Sequence, residues 1–403
     1  MGLKFRLGMM MFLQYAIWGS WSPVLSDYLI NKLGFQGTQV GFIYSLLPLA
    51  TIISPFIGGQ VADRYFPTQK IIAILQLIGG LLLLIGSRLT DFASLSGLML
   101  VYCLIYAPTL ALTNSLAFIH LRDTEREFGQ IRVWGTIGWI IAGLILAGWR
   151  LAFKASGLSP LTGDTLLLAG FFSLLMGVTS FNLPHTPPKK EATKPWAFLE
   201  ALRLLRDKNF AVFITIAFVV ATELMFYYVM TAPYLTSEMI GVSSSAVSGI
   251  MVIAQVAEIF VMALLLPYFL PRFGIRITLL IGILAWPIRY IIFVIGQPSW
   301  LVIASLTLHG FCYVFFFTAA FIYVDRVAPG DIRASAQSLI TLATIGLGNY
   351  LGSLFAGWIQ SLFTGPEGTN WRAVFAIPAV ITILCAVVFM FFFKGDKNNE
   401  RKR

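Results

Sequence analysis

Two polar side chains lie three residues apart inside an apolar stretch of the sequence, IAQVAEIFVM. Residues at this spacing share one face of a helix, so Gln255 and Glu258 would point to the same side. In a membrane an ionisable group is costly and is a functional candidate by default. We therefore interpret Gln255 and Glu258 as ligands for a polar substrate, with Glu258 also able to carry a proton. The structural alternative is a static ion pair with Arg289 in the next apolar stretch.

A second constellation combines a cation, a hydroxyl group and an aromatic plane. Arg132, Thr136 and Trp139 follow one another at i, i+4 and i+7. This spacing forms a single stripe on a helix. Such a stripe could hold a polar ring compound. The alternative is that Arg132 only anchors its helix at the membrane surface.

Two further ionisable residues lie inside apolar stretches. Glu223 in VVATELMFYYVM and His309 in LTLHGFCYV could each carry a proton. Each could equally make a fixed structural hydrogen bond. The aromatic residues of the same stretches include Tyr228 and Tyr313, whose rings could stack on a flat ligand. Together these residues favour a planar, hydroxylated substrate.

Several kinds of chemistry have no signature in the sequence. The three cysteines, Cys103, Cys312 and Cys385, lie in apolar runs without metal-ligand spacing. There is no GxxxxGK[ST] loop for ATP, and no HExxH or GxSxG motif. We therefore expect neither an enzyme nor an ATP-driven pump, and we expect no metal and no cofactor.

The elements that must position these residues are membrane helices. The chain has 403 residues, of which 58% are hydrophobic and 11% charged. Apolar runs of about 20 residues can cross a bilayer, and only helices satisfy their backbone there. We predict an all-α integral membrane protein in the lipid bilayer, with twelve spans near 7–30, 38–62, 70–88, 94–119, 131–152, 164–184, 209–236, 245–270, 277–296, 299–324, 333–362 and 371–393.

The loops indicate the orientation and the domain organisation. With both termini inside, 21 of the 28 Lys and Arg residues face the cytoplasm and five face the other side. This bias is a strong positive-inside signal, and it explains the net charge of +10 without nucleic acid. The polar segment 185–208 divides the spans six and six. We predict an N-terminal bundle (1–184), a cytoplasmic linker (185–208), a C-terminal bundle (209–394) and a basic tail (395–403).

The two halves repeat each other in their loops. ADRYFPTQK after the second span corresponds to PRFGIR after the eighth, and IHLRDTEREFGQIR corresponds to IYVDRVAPGDIR. Parallel repeats of six helices are typical of the major facilitator fold, in which two pseudo-symmetric bundles enclose a polar cleft. Glycines at 135, 138, 143 and 148, and at 346, 348, 352 and 357, favour close packing between the halves.

Nearly the whole chain resembles the nucleoside:proton symporter family of the major facilitator superfamily. The most specific stretches are FLQYAIWGSW, YAPTLALTNSLAF, IRVWGTIGW, AQVAEIF and IRASAQ. The loop from Gly59 to Arg64 resembles the broad superfamily motif. The stretches FYY at 226–228 and AFIYVDRVAP are closer to a less characterised branch of the family.

The resemblance implies an importer of nucleosides, driven by protons, in the inner membrane of a bacterium. A monomer is the expectation for this architecture. It places Arg132, Thr136, Trp139, Gln255, Glu258 and Tyr313 among the binding residues. Met225, Tyr228 and Val314 stand where nucleoside-binding relatives carry Gln, Asn and Asp. The substrate could therefore be another small polar solute, such as a sugar or a nucleobase, carried by a symporter or by a facilitator.

Overall fold

The computed structural model describes residues 2–159, 162–188 and 196–395. Part of the predicted linker, 189–195, and the tail beyond residue 395 lie outside these ranges. The backbone of 55–65 and 124–126 is helical, but their side chains are not described. The superfamily-like motif from Gly59 to Arg64 is therefore seen only as backbone.

The fold consists almost entirely of helices. We number them α1 to α17 in chain order: Leu3–Trp21, Leu25–Asn31, Gly37–Tyr65, Thr68–Gly86, Phe92–His120, Thr124–Ala155, Asp164–Ser180, Ala197–Ala201, Lys208–Thr236, Val247–Phe260, Leu266–Ile295, Ser299–Ser305, Leu308–Gly310, Ala319–Val327, Arg333–Thr341, Asn349–Leu362 and Trp371–Phe392. Short 3₁₀ turns occupy Leu202–Arg206 and Gly330–Ile332. A two-stranded hairpin, Thr364–Gly365 with Gly368–Thr369, precedes α17.

Within the described residues, nine continuous helical segments are long and apolar enough to cross a membrane. One of these, Val247–Ile295, is 49 residues long and contains two predicted spans. A kink separates the two spans at Gly274, whose backbone angles are not helical (φ 76°, ψ 172°). Asp164–Ser180 is apolar but shorter, and α1 is the remaining predicted span. The helices are therefore consistent with twelve spans.

The predicted span 7–30 is interrupted, which the sequence analysis did not anticipate. Pro23 follows α1 and has no backbone N–H to continue its hydrogen bonds, and Val24 after it leaves the helical conformation (φ −133°, ψ −2°). Tyr44 of α3 compensates for the break: its hydroxyl donates to the carbonyl oxygen of Ser22 (2.7 Å) and accepts from the backbone N–H of Ser26 (3.0 Å). One side chain thus satisfies backbone groups on both sides of the interruption.

Backbone contacts divide the chain into two compact units. The first is Met1–Pro195 with Val242–Val252, and the second is Trp196–Gly241 with Ile253–Arg403. Each unit has its own helix packing, and each is described below by itself.

Corresponding pairs of spans, the first with the fifth and the seventh with the eleventh, approach each other closely in the two units. In the first unit, a Cβ on Gly138 of α6 would lie 2.1 Å from the backbone oxygen of Phe12 in α1. In the second, a Cβ on Gly352 of α16 would lie 2.5 Å from the backbone oxygen of Thr222 in α9. We expected these glycines to serve packing between the halves. Gly138 and Gly352 instead allow close crossings within a unit, because backbone meets backbone there.

A buried polar network joins four helices of the first unit. Gln14 Nε2 donates to Thr109 Oγ1 (2.9 Å), and Gln76 Nε2 lies 3.0 Å from Gln14 Oε1. Ser173 Oγ donates to Gln76 Oε1 (2.7 Å). The four side chains are at most 1% exposed. The network therefore fixes the relative positions of α1, α4, α5 and α7.

A buried ion pair ties α6 to α7 in the same unit. Arg150 Nε and Nη2 lie 2.7 and 2.6 Å from the two carboxylate oxygens of Asp164, and both side chains are buried. Nη1 also donates to the backbone oxygen of Ser244 (3.2 Å). The planar guanidinium group favours this two-pronged geometry.

Candidate functional site

The first cluster of functional side chains surrounds Arg132 in the first unit. Helix α6 carries Arg132 on a face that packs against α1, where the glycines permit a short interhelical distance. The guanidinium carbon of Arg132 lies 3.9 Å from the centroid of the Tyr15 ring. This geometry is a cation–π contact, in which the ring face attracts the charge. We call Tyr15, Trp18, Arg132 and Trp139 the Arg132 cluster.

Aromatic rings continue from Tyr15 along the same face of α1. Trp18 lies 5.4 Å from Trp139 in an edge-to-face arrangement, and Tyr15 lies 6.3 Å from Trp18. Gly19 leaves room for Trp139, since a Cβ there would lie 2.7 Å from the indole ring. Arg132 and Thr136 remain partly exposed, whereas Trp139 is 8% exposed. The cluster thus presents a cation and aromatic edges, and Thr136 lies one helical turn after Arg132 on α6.

The second cluster surrounds Arg289 in the second unit. Arg289 is fully buried, and its guanidinium carbon lies 4.6 Å from the ring centroids of both Tyr227 and Trp286. Its Nη1 lies 3.2 Å from Nδ1 of His309. The imidazole ring of His309 stacks on Tyr227, with ring centroids 4.3 Å apart. We call Tyr227, Tyr228, Arg289, His309 and Tyr313 the Arg289 cluster.

Two predicted binding residues lie at the edge of the Arg289 cluster. The ring of Tyr228 lies 6.1 Å from His309 and that of Tyr313 lies 5.8 Å from it. Both tyrosines are partly exposed, whereas His309 is fully buried. The structure therefore brings Tyr228, His309 and Tyr313 together, with the tyrosines nearer the surface of the unit.

The other predicted residues of the second unit lie on α9 and α10. Gln255 is 4% exposed and Glu258, one helical turn later, is partly exposed. Glu223 is 1% exposed, and its Oε1 lies 3.2 Å from Thr222 Oγ1. Its backbone oxygen accepts a hydrogen bond from the hydroxyl of Tyr290. Of the three proton-coupling candidates, Glu258 is the one with part of its surface accessible.

The three positions that differ from the nucleoside-binding pattern have different surroundings. Met225 is 5% exposed and Val314 is fully buried, whereas Tyr228 is partly exposed. Val314 belongs to a π-helical segment, Phe311–Thr318. Of the three changes, the one at Tyr228 therefore alters the most accessible side chain.

Four residues of the clusters were not among the predicted site residues. Two of them, Tyr15 and Trp18, lie on a different span from Arg132. The other two, Tyr227 and Arg289, are fully buried, whereas the predicted tyrosines Tyr228 and Tyr313 are partly exposed. The i, i+3 spacing of Tyr15 and Trp18 was a usable signal, because it places both rings on one helical face. The pairing of Arg289 with His309 had no such signal, since these residues belong to different spans.

The sequence matches a known family over almost its whole length. The model of the family described as "Nucleoside H+ symporter" matches residues 1–398. The transporter YegT of Escherichia coli (strain K12) is 40% identical over 98% of this chain and 94% of its own length. The nucleoside permease NupG of the same organism is 31% identical, over 98% of this chain and 96% of its own length.

Solved structures agree with the sequence comparisons. The crystal structure of the nucleoside transporter NupG superposes with a TM-score of 0.86 at 29% identity, covering 98% of this chain and all of NupG. A D-xylose–proton symporter has the same fold, with a TM-score of 0.72 at 15% identity, over 98% of this chain and 99% of its own. The expected major facilitator fold is confirmed, and these relatives are transporters and not enzymes. The chain belongs to the nucleoside H+ symporter family.

Proposed function

We propose that this protein imports nucleosides by proton symport through alternating access. The family name and the nucleoside specificity of NupG support the cargo. The observation in the structure that carries the proposal is the pairing of a cation with aromatic faces in both clusters. Aromatic faces stack on a base, and the guanidinium, hydroxyl and amide groups can hydrogen-bond to a ring or a ribose.

We assign substrate binding to residues of both units. Arg132, Thr136 and Trp139 would contribute from the first, and Tyr228, Gln255, Glu258 and Tyr313 from the second. The Tyr15 ring supports Arg132 and so belongs to the same proposal. The bundles 1–184 and 209–394, joined by 185–208, would be the parts that move during alternating access.

Glu258 is the proton carrier in this proposal. It is a carboxylate on a membrane helix, it is partly accessible, and it lies one turn from the amide of Gln255. Protonation would remove its charge and so alter its interaction with substrate. Glu223 is the second candidate, but its carboxylate is buried.

We place the protein in the bacterial inner membrane as a monomer with both termini in the cytoplasm. The excess of Lys and Arg in one set of loops supports this orientation. A potential of about 100 mV supplies roughly 2.3 kcal/mol for each charge moved inward. At one proton per substrate, this energy corresponds to ~50-fold accumulation.

The test is uptake of labelled uridine and adenosine into proteoliposomes, with and without an inward proton gradient. Wild type is compared with Glu258→Gln, which keeps the shape of the side chain and removes the titrating group. We expect gradient-driven uptake in the wild type alone. Counterflow, in which internal unlabelled substrate drives entry of label, should survive in the variant.

Other outcomes would change the proposal in defined ways. Uptake that ignores the gradient would indicate a facilitator. Absence of both uptake and counterflow for either nucleoside, with folded protein, would indicate another polar solute such as a sugar or a nucleobase. Tyr228 at the accessible edge of the Arg289 cluster would then be the first position to exchange for Asn.

A further inference from the structure

His309 is held by a residue that can only donate hydrogen bonds. Its Nδ1 lies 3.2 Å from Nη1 of Arg289. A guanidinium group remains charged in proteins and has no acceptor atom. Nδ1 must therefore accept, which requires it to carry no proton. A neutral imidazole with an unprotonated Nδ1 carries its proton on Nε2.

Further polar atoms without partners surround His309, and most of them can only donate. Within the described residues, Nε2 of His309, Nε and Nη2 of Arg289, and the hydroxyl of Tyr227 have no hydrogen-bond partner. Arg289, Tyr227 and His309 are fully buried. A buried polar group without a partner is unfavourable by an amount comparable to a lost hydrogen bond. The donors of His309 and Arg289 would be satisfied by an acceptor atom of a ligand or of a water molecule.

The surroundings of His309 oppose a second proton on its ring. Arg289 from α11 contributes a fixed positive charge at hydrogen-bond distance. The side chains of Tyr227 and Tyr228 face it from α9, and Tyr313 faces it from its own span. Helix α10 packs closely against this span, because a Cβ at Gly310 would lie 2.6 Å from the backbone oxygen of Ala257. Glu258 follows Ala257, and its carboxylate is the group of α10 that acts in the opposite direction to Arg289.

We propose that Arg289 is a positioning residue that fixes His309 as a neutral, Nε2-protonated hydrogen-bond donor. His309 then binds an acceptor atom of the cargo, such as a ring carbonyl oxygen, and does not carry the transported proton. The binding of cargo by His309 rests on the proposed function, whereas the tautomer of His309 follows from its contact with Arg289 alone. The assignment leaves Glu258 and Glu223 as the proton-carrying candidates.

The tautomer can be measured without cargo by nitrogen NMR of ¹⁵N-histidine-labelled protein in lipid. The chain has three histidines, and subtraction of a His309→Gln spectrum isolates the signals of His309. We expect an unprotonated Nδ1 and a protonated Nε2, unchanged from about pH 8 to about pH 5. Free ¹⁵N-histidine in the same buffer serves as the control for titration. A protonated Nδ1, or a doubly protonated ring in this range, would overturn the proposal.

A variant tests the part played by Arg289. Arg289→Met keeps a long side chain beside the rings of Tyr227 and Trp286, but methionine cannot donate a hydrogen bond to Nδ1 of His309. We expect a mixture of both tautomers in this variant, and protonation of His309 as the pH falls. A tautomer that is unaffected by Arg289→Met would show that Arg289 does not set it. If the variant does not fold, the wild-type spectrum still decides the tautomer.

Transport measurements test the role of the histidine. Gln retains an N–H donor near the position of Nε2, whereas Phe retains only the ring shape. His309→Gln should lower uptake less than His309→Phe, whose KM should rise about two- to tenfold with a smaller effect on Vmax, and uptake by both variants should still depend on the proton gradient. Loss of gradient-driven uptake with retained counterflow in His309→Gln would identify a proton carrier and contradict the proposal. If wild-type protein moved no nucleoside, the proposed function would fail while the NMR result would stand.

Discussion

The guanidinium group of Arg132 lies over the ring of Tyr15, at 3.9 Å from its centroid, although the two residues belong to different spans. The ring covers one face of a charge that would otherwise have to be solvated. It also orients the planar group, leaving the donors at its edge available. Tyr15 is therefore part of the environment that gives Arg132 its proposed role.

This contact predicts different effects for two substitutions of Tyr15. Tyr15→Phe keeps the ring face and should leave substrate affinity nearly unchanged. Tyr15→Leu removes it and should weaken binding about two- to thirtyfold, because cation–π contacts contribute about 0.5–2 kcal/mol. Calorimetry on purified protein measures the two dissociation constants. Equal losses in both variants would indicate that the hydroxyl, and not the ring face, matters.

The buried pair of Arg150 and Asp164 should respond strongly to loss of one partner. Asp164→Asn leaves the arginine buried without its counter-charge, at a cost of about 3–5 kcal/mol. Thermal unfolding in detergent should show a clearly lowered Tm. The ion pair of Lys4 and Glu127 is the matched control, because Lys4 is 59% exposed and water screens such a pair. Similar Tm losses for Asp164→Asn and Lys4→Gln would contradict this assignment.

Two glycines of α6 allow a comparison within one helix. Gly138→Ala would place a Cβ 2.1 Å from the backbone oxygen of Phe12, which cannot move without shifting α1. Gly148→Ala meets nothing within 4 Å and should gain roughly 0.5–1 kcal/mol from helix propensity. We expect poor yield and low Tm for the first variant and normal behaviour for the second. A stable, active Gly138→Ala protein would show that α1 and α6 are farther apart at this point than the structure indicates.

Much of the fold could be predicted from the sequence because membrane helices are long and apolar. The bias of Lys and Arg toward one set of loops predicted the orientation, and the repeated loops predicted the two six-helix halves. The interruption after Trp21 was missed, although Pro23 marks it, because the apolar run continues through it. The stripe of Arg132, Thr136 and Trp139 was found because it lies on one helix, whose spacing is regular.

Contacts between side chains of different spans could not be predicted from the sequence. The support of Arg132 by Tyr15 and the hydrogen bond from Arg289 to His309 each join two helices. No spacing rule within a helix relates such residues. The same limit applies to the network of Gln14, Gln76, Thr109 and Ser173, whose members come from four helices and were not singled out.

That network predicts a loss of stability without a change in charge. Gln76→Leu would leave the amide of Gln14 and the hydroxyls of Thr109 and Ser173 with fewer partners. Each buried group left unsatisfied costs about 1–3 kcal/mol. We expect a lower Tm and unchanged cargo selectivity, measured by competition with unlabelled nucleosides. The exposed Gln130→Leu is the control, and a Tm loss of equal size there would point to a general effect of polarity.

Three π-helical segments lie in the part of the second unit that the structure describes, Val261–Leu265, Phe311–Thr318 and Leu342–Gly348. Each accommodates more residues per turn than an α-helix while keeping its backbone groups paired inside the helix. If such a segment tightened to an α-helix by one residue, the following side chains would rotate by roughly 100° and move about 1.5 Å along the axis. The spans that carry these segments therefore have a second register available to them that exposes no backbone group to lipid. The orientation of Tyr313 depends on which register its helix adopts.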